Sequence, residues 1–297
     1  MLQHPNAFSA ATCVDSPRKF RHSEARFHSV HPIAFHLGPL TITWYGVMVM
    51  LGFVAGMWTA SRRCLLVGLD PERILDLGPW LILGAVAGAR TLYVVTFWRE
   101  EFAGQPFGAV FMVWHGGLVY YGGLVGASLS FILYTRLKKA ALWRIADVLT
   151  PSIALGQAFG RLGCLLNGCC YGRACDLPWA IRFPADNAAH APTYPVHPTE
   201  IYESVLNLGL YGLLAWLFRR KNFDGQVFAV YLTGYAVVRS FVELFRGDYP
   251  PGQYVGGLLT PGQAVSAVSL LIGVLLLALL PRTKPVPSSG AGVPRGG

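Results

Sequence analysis

Residues 262–280 read GQAVSAVSLLIGVLLLALL, and no charged side chain interrupts them. A helix of about 20 apolar residues is long enough to cross the hydrocarbon core of a bilayer, which is about 30 Å thick. This stretch has almost no polar face that a soluble protein could turn toward water. It therefore predicts a transmembrane helix.

Six further apolar stretches precede this one along the chain. They are residues 41–60, 76–98, 114–135, 146–168, 201–218 and 225–246. Backbone amides in lipid must be paired within their own segment, so these stretches predict helices and not strands. Small residues recur at 84–89 and 122–127, which predicts close packing of helix backbones. The expected fold is an all-α membrane bundle of about seven transmembrane helices.

The composition agrees with this fold class. Apolar residues make up 53% of the chain and charged residues 13%, whereas soluble domains carry roughly 25% charged residues. The net charge is +9, but many of the basic residues lie in short runs beside apolar stretches, at 62–63, 136–139 and 219–221. Such runs are typical of topology determinants and contacts with lipid headgroups. Because no nucleic-acid-binding motif accompanies the charge, no nucleic-acid partner is expected.

The basic residues also predict an orientation and a domain organisation. Thirteen of them lie on the side that holds the C-terminal tail, and eight lie on the opposite side. This bias predicts a cytoplasmic C-terminus and an N-terminus outside, in the periplasm. We expect a polar, disordered segment at 1–37, a membrane domain at 38–281 with a periplasmic loop at about 169–200, and a disordered cytoplasmic tail at 282–297.

Three arginines lie inside the predicted spans, where each costs about 2.5–3.5 kcal/mol on insertion scales. Arg239 lies four residues before Glu243, on one helical face, and Arg246 follows three residues later. An Arg–Glu pair of this kind can serve function or only lock helices together. Arg161 has no acidic residue nearby in the sequence, so we expect a guanidinium without a fixed counter-charge. Such a group can bind a lipid phosphate through two parallel hydrogen bonds. The third arginine is Arg90.

Candidate bases lie near the ends of the spans. His115 follows Trp114 at the start of the third stretch, and it can be either a general base or an interfacial residue. His197 and Glu203 lie near the start of the fifth stretch. They can act in catalysis, but hydrogen bonding that fixes the preceding loop is the favoured interpretation.

Several short blocks occur in a fixed order along roughly residues 42–246. The blocks are Trp44-Tyr45-Gly46, Gly88-Ala89-Arg90 with Tyr93, Gly116-Gly117 with Tyr121-Gly122-Gly123, Gly160-Arg161 with Gly163, Asn167-Gly168 and Gly172, His197-Pro198-Thr199 with Tyr202-Glu203, and Gly234-Tyr235 leading to Arg239, Glu243 and Arg246. Taken together and in this order, they resemble the prolipoprotein diacylglyceryl transferase family.

The resemblance implies a reaction in the bacterial inner membrane that needs no metal or other cofactor. Phosphatidylglycerol gives its diacylglyceryl group to the lipobox cysteine thiol of a prolipoprotein signal peptide, a thioether forms, and glycerol phosphate leaves. By the same resemblance, Arg161 binds the phosphatidylglycerol headgroup and Arg239 is a second essential arginine. Tyr121 occupies a position that is often His in the family. The other matched residues are expected at the substrate: Tyr45, Arg90, Asn167, Gly172, Glu243 and Arg246.

These residue types suit the implied chemistry. Negative charge grows on the phosphate as the C–O bond breaks, and arginines in a water-poor cavity stabilise it more strongly than in bulk water. The acceptor thiol must become a thiolate, which requires a base or a positive field. The candidates for that base are Tyr121, His115 and His197, and the sequence does not choose among them.

The chain departs from the family at a cluster of cysteines. Cys164 stands where the family usually has Asn, and Cys169 stands where it commonly has Glu. Cys170 and Cys175 complete the cluster. At the outer face of a bacterial membrane, disulfide pairing is the first expectation. Free thiols remain open, as does a metal site with His190 or His197 as further ligands.

Two other functions fit parts of the sequence. A membrane thiol-disulfide oxidoreductase would use the cluster from Cys164 to Cys175 and would need an electron acceptor such as a quinone. A non-catalytic lipid-binding relative would keep the arginines and lack turnover. The transferase accounts for more of the matched residues than either alternative.

Overall fold

The computed structural model describes residues 32–37, 40–113, 116–184, 192–247 and 260–282. Of the segment at 1–37 that was expected to be disordered, residues 1–31 lie outside the described residues. The expectation is wrong for its end, because Ile33–Leu37 pairs with Leu40–Thr43 as a β-strand. The part of the predicted tail beyond Arg282 also lies outside the described residues. The same is true of His115 and His190, so nothing structural is said of either side chain.

A short antiparallel hairpin, β1 (Ile33–Leu37) and β2 (Leu40–Thr43), precedes the helices. The described residues then form seven α-helices: α1 (Trp44–Leu66), α2 (Pro71–Thr96), α3 (Tyr120–Leu137), α4 (Leu142–Asn167), α5 (Thr199–Phe218), α6 (Gln226–Glu243) and α7 (Pro261–Leu279). Four of them, α1, α2, α5 and α7, are long and apolar enough to cross a membrane. The chain is therefore mostly helical, as the sequence predicts for a membrane protein.

Each predicted span overlaps one helix, and several predicted ends are wrong for a local reason. α2 begins five residues early, because Asp70 accepts a hydrogen bond from the Glu72 amide and Pro71 fits the first helical position. α3 begins six residues late, because Gly116 and Gly117 have φ values of +88° and +73°, which a helix does not allow. α6 ends at Glu243, so Arg246 is not on the helix where the spacing had put it.

The chain divides into two compact units. The first contains the described parts of 1–53 and 153–297, and the second contains 54–152. In the second unit α2 and α3 pack through glycines. A Cβ atom built on Gly88 would lie 2.8 Å from the Cα of Gly126, and one built on Gly126 would lie 2.9 Å from the Cα of Gly88. The predicted packing of small residues is confirmed at this seam.

In the first unit, α5, α6 and α7 follow one another and pack in sequence. α7 starts with a capping box, in which Thr260 accepts a hydrogen bond from the Gln263 amide and Gln263 accepts one from the Thr260 amide. Large apolar side chains face outward on these helices, as Leu271 on α7 does at 60% exposure. Such exposure is normal for a surface that faces lipid.

Candidate functional site

Glu203 on α5 is the centre of an ion-pair network in the first unit. Its carboxylate is nearly fully buried, and each of its oxygens faces a different arginine. The Nε atom of Arg161 on α4 lies 3.1 Å from Oε1, and Nη1 of Arg239 on α6 lies 3.1 Å from Oε2. Arg239 also reaches Glu243, with 2.9 Å between Nη2 and Oε2. Three helices therefore meet at one set of alternating charges.

The expectation that Arg161 has no fixed counter-charge is wrong. Its partner Glu203 lies on the next helix, where sequence proximity does not reveal it. The closest contact of this pair is made by Nε. Among the described residues, the two Nη groups of Arg161 have no hydrogen-bond partner, and 21% of the side chain is exposed. The forked end of this guanidinium is therefore available for another acceptor.

The second carboxylate of the network is held by a different element. Glu243 accepts a hydrogen bond from Thr260 Oγ1 at 2.7 Å, and Thr260 is the N-cap of α7. A Cβ atom built on Gly262 would lie 2.7 Å from Glu243 Oε1. Any larger residue at this position would therefore collide with the Glu243 carboxylate. The predicted pair of Arg239 and Glu243 is confirmed, and it joins α6 to the start of α7.

The network belongs to a polar stripe on α5 that the sequence analysis missed. Glu200, Glu203, Ser204 and Asn207 recur at helical spacing and are all buried. Ser204 donates to the Ala158 carbonyl of α4 at 3.0 Å. Among the described residues, the Oδ1 atom of Asn207 has no hydrogen-bond partner. Polar residues at helical spacing within an otherwise apolar span are a pattern from which this stripe could have been identified in the sequence.

The loop after α4 closes against the end of α6. The Gly172 amide donates to the His197 carbonyl at 3.0 Å, and Arg246 pairs with Gly172 through an isolated bridge. Arg173, which the sequence analysis did not single out, donates from Nε to the Arg246 carbonyl at 3.0 Å. A small apolar cluster of Ile181, Phe183 and Val196 supports this loop.

His197 is buried within this loop and lies beside Tyr202 and Phe245. Its Nδ1 atom is 3.3 Å from the Tyr202 hydroxyl, and its ring centroid is 5.3 Å from that of Phe245. Burial, and then the positive charge of Arg173, lowers the pKa of His197 below its usual range. The imidazole is thereby held in its neutral form at neutral pH.

Three of the cysteines converge at the end of α4. The Sγ atoms of Cys164, Cys169 and Cys170 all lie within 4.8 Å of one another. Gly168 and Cys170 have positive φ values of +75° and +71°, and this turn brings the later thiols back toward Cys164. The expected disulfide is not formed, because all three are free thiols, as is the buried Cys175.

Two other predicted site residues lie beside these thiols. Asn167, the last residue of α4, directs its side-chain amide toward Cys169 Sγ at 3.6 Å. Tyr45, at the start of α1, packs against Gly163, the residue before Cys164: a Cβ atom on Gly163 would lie 3.1 Å from Tyr45 Cδ2. Tyr45, Asn167, Arg161 and the cysteines therefore form one neighbourhood within the first unit.

Arg90 and Tyr121 belong to the second unit. Arg90 donates to four backbone carbonyls at 2.7–3.2 Å, those of Ala109, Val110, Gly116 and Gly117. It lines a cavity of about 320 Å³ together with Tyr93 and Phe102. These contacts favour a role for Arg90 in holding the segment before α3. Tyr121 lies in the first turn of α3, with 48% of its side chain exposed.

Comparison with known proteins adds to this geometry. Residues 32–279 match the sequence model of the family described as prolipoprotein diacylglyceryl transferase. Three relatives carry the name phosphatidylglycerol–prolipoprotein diacylglyceryl transferase. The one from Synechococcus elongatus is 36% identical over 258 residues, with 84% of this chain and 87% of the relative covered.

The relative from Acaryochloris marina is 35% identical over 268 residues, covering 88% of this chain and 96% of its own length. The relative from Nitratidesulfovibrio vulgaris is 34% identical over 252 residues, covering 84% and 93%. The family match over residues 32–279 includes all seven helices described above. The chain belongs to the prolipoprotein diacylglyceryl transferase family.

Proposed function

We propose that this protein transfers the diacylglyceryl group of phosphatidylglycerol to the cysteine thiol of a prolipoprotein. The acceptor sulfur forms a C–S bond to the glyceryl carbon. The C–O bond to phosphate breaks, and its electron pair leaves on glycerol phosphate. The names of the relatives support this reaction over a thiol-disulfide oxidoreductase.

One observation carries the proposal: the forked end of Arg161 has no partner among the described residues, although its Nε is fixed by Glu203. A guanidinium oriented on one edge presents its two Nη groups as a preformed donor pair. Phosphate oxygens accept such a pair in bidentate geometry. We therefore assign Arg161 to the phosphate of the donor lipid.

The remaining charges support that assignment. Arg239 bridges Glu203 and Glu243, so it fixes the carboxylate that orients Arg161 and adds positive charge near the phosphate. Arg246 follows the end of α6 in the first unit and is held there by its bridge to Gly172. Because these groups are preorganised in a water-poor region, they stabilise the developing charge with little rearrangement. Tyr45 and Asn167 complete the substrate neighbourhood.

Of the three candidate bases named from the sequence, we assign His197 as the group that accepts the thiol proton. Burial lowers the pKa of His197, so its imidazole is neutral at neutral pH and can accept a proton. Tyr121 and His115 are the alternative bases. The transfer rates of Tyr121→Phe, His115→Gln and His197→Gln distinguish the three candidates.

The proposal also includes a topology. We infer seven transmembrane spans, an N-terminus in the periplasm and a C-terminus in the cytoplasm, in the bacterial inner membrane. The distribution of basic residues supports this orientation. The loop at about 169–200 would then face the periplasm, where prolipoproteins arrive. Cysteine accessibility to a membrane-impermeant reagent at 104 and at 222 tests the two faces.

The decisive experiment measures transfer of labelled diacylglyceryl from phosphatidylglycerol to a lipobox peptide in detergent. The wild type is expected to form the thioether, and a peptide with Ser in place of Cys is expected to form none. Arg161→Lys keeps the charge but loses the donor pair, so we expect activity to fall about 10- to 100-fold. Arg219→Lys, at an exposed helix end, is the matched control. Wild-type activity in Arg161→Lys would exclude the assigned role.

A further inference from the structure

The three converging thiols are the chemical feature that the proposed function leaves unused. The Sγ atoms of Cys164, Cys169 and Cys170 lie within 4.8 Å of one another. Each is partly buried, so each is shielded without being sealed from a small ion. A disulfide needs two sulfurs, whereas three sulfurs around one centre form the donor set of a thiophilic metal ion.

We propose that Cys164, Cys169 and Cys170 bind Zn²⁺ through their three thiolates and that the fourth position of the ion takes the acceptor thiolate. The first half rests on the thiol cluster alone, and the second half rests on the proposed function. A cysteine thiol loses its proton when its sulfur binds zinc, so binding releases one proton from each of the three cysteines to solvent.

The ligand count leaves a position open. Zinc in proteins is almost always tetrahedral, and a site with three protein ligands keeps the fourth position for water or substrate. Within the described residues, no His, Asp or Glu joins the three sulfurs in a common ligand group. Asn167 directs its amide toward Cys169 as a neighbour of the ligand rather than as a ligand.

The charges around the cluster match a zinc thiolate. Three thiolates and Zn²⁺ carry a net charge of −1, and a fourth thiolate makes it −2. Arg161 and Arg246 both act electrostatically on Cys170, so they offset that charge.

The location of the cluster connects the two substrates. Tyr45 packs against Gly163, which lies between Arg161 and Cys164 on α4, so the thiol cluster lies in the neighbourhood assigned to the donor phosphate. Bound zinc would stabilise the acceptor sulfur as a thiolate at neutral pH, and the base of the proposed function would accept the thiol proton. The sulfur would then form the C–S bond while the C–O electron pair leaves with phosphate, and the neutral thioether would be a weaker ligand than the thiolate.

Metal content gives the first test, and it does not depend on turnover. Full-length protein purified in detergent without chelators is expected to contain about one zinc ion per chain, as measured by inductively coupled plasma mass spectrometry. Cys169→Ser is expected to weaken zinc binding by at least about 100-fold, whereas Cys169→His keeps a ligand and keeps the metal. Cys64→Ala, in the second unit, is the control. A metal-free wild type, or one in which intact mass shows a disulfide within the cluster, would overturn the site.

Cobalt substitution tests the fourth position without the donor lipid. Protein loaded with Co²⁺ is expected to show thiolate charge-transfer bands and the visible bands of a tetrahedral site. Adding a lipobox peptide with Cys should shift the visible bands, and the same peptide with Ser should not. Bands unchanged by the Cys peptide would overturn the acceptor role while leaving the metal site. Zinc binding in a protein that shows no transfer would instead overturn the proposed function alone.

Discussion

The closest contact of Arg161 with Glu203 lies between Nε and Oε1, at 3.1 Å. This contact places one edge of the guanidinium against the carboxylate, and the two Nη groups have no hydrogen-bond partner among the residues that the structure describes. The second oxygen of Glu203 faces Arg239, so the carboxylate is shared between two arginines. The buried carboxylate therefore orients Arg161 without consuming its capacity to bind a phosphate.

Glu203→Gln should cost both stability and activity. The change leaves Arg161 and Arg239 with one carboxylate of the network, that of Glu243. Removing one partner from a buried ion pair costs about 3–5 kcal/mol, and we expect about 2–4 because Arg161 is partly exposed. Denaturant unfolding in detergent measures the free energy, and the labelled-lipid assay measures transfer.

Glu100→Gln is the matched control, because Glu100 is exposed in the second unit. It should leave the free energy of unfolding and the transfer rate within error of the wild type. If Glu203→Gln is as stable and as active as this control, Glu203 does not orient the arginines in the working protein.

The helices were predictable from the sequence, whereas the pairing between them was not. Apolar stretches such as 262–280 are long enough to cross a bilayer, and this property belongs to the segment itself. The pairing of Arg161 with Glu203 joins different helices, so no local spacing encodes it. The Arg239–Glu243 pair was predictable because both residues lie on one helical face.

The thiol cluster shows the same limit in a loop. The spacing of the cysteines after Cys164 indicated proximity but left disulfide, free thiol and metal open. Convergence of the three sulfurs depends on the positive φ values at Gly168 and Cys170. Gly168 permits such a turn, but a left-handed Cys170 is uncommon and could not be expected from sequence.

Gly172→Ala should disrupt the contact between the loop and the end of α6. A Cβ atom there would lie 2.7 Å from the His197 carbonyl oxygen and 2.8 Å from that of Phe245. Backbone oxygens cannot move aside as a flexible side chain can, so the loop must shift, at a cost of about 1–3 kcal/mol. We expect a lower melting temperature and a transfer rate reduced at least about 10-fold.

Gly108→Ala provides the comparison, since nothing lies within 4 Å of the added methyl group. Its melting temperature and transfer rate should match those of the wild type. An active Gly172→Ala protein with an unchanged melting temperature would mean that the loop does not pack this closely against Phe245.

Gly88→Ala should destabilise the second unit without touching the ion-pair network. The added Cβ would lie 2.8 Å from the Cα of Gly126, so α2 and α3 must move apart. We expect a loss of about 1–3 kcal/mol in the free energy of unfolding. Gly209→Ala on α5 is the helical control, because it meets nothing within 4 Å and should be neutral or stabilising. Equal stability of the two variants would contradict the tight α2–α3 seam.

Acid should weaken the protein through His197. Burial and Arg173 lower the pKa of this imidazole in the folded state, so the unfolded chain binds the proton more readily. Stability from the neutral ring is therefore complete above the unfolded pKa of about 6.5 and is lost as the pH falls through the lower folded pKa. We expect the melting temperature of the wild type to fall between pH 7 and pH 5.

The contribution of His197 is isolated by comparing two variants over the same pH range. His197→Gln keeps a hydrogen-bonding side chain that does not titrate, so its melting temperature should fall less between pH 7 and pH 5. His36→Gln, in the exposed strand β1, should keep the full wild-type slope. A wild-type slope in His197→Gln would assign the acid sensitivity to other groups and would remove the argument for a neutral His197 as the base.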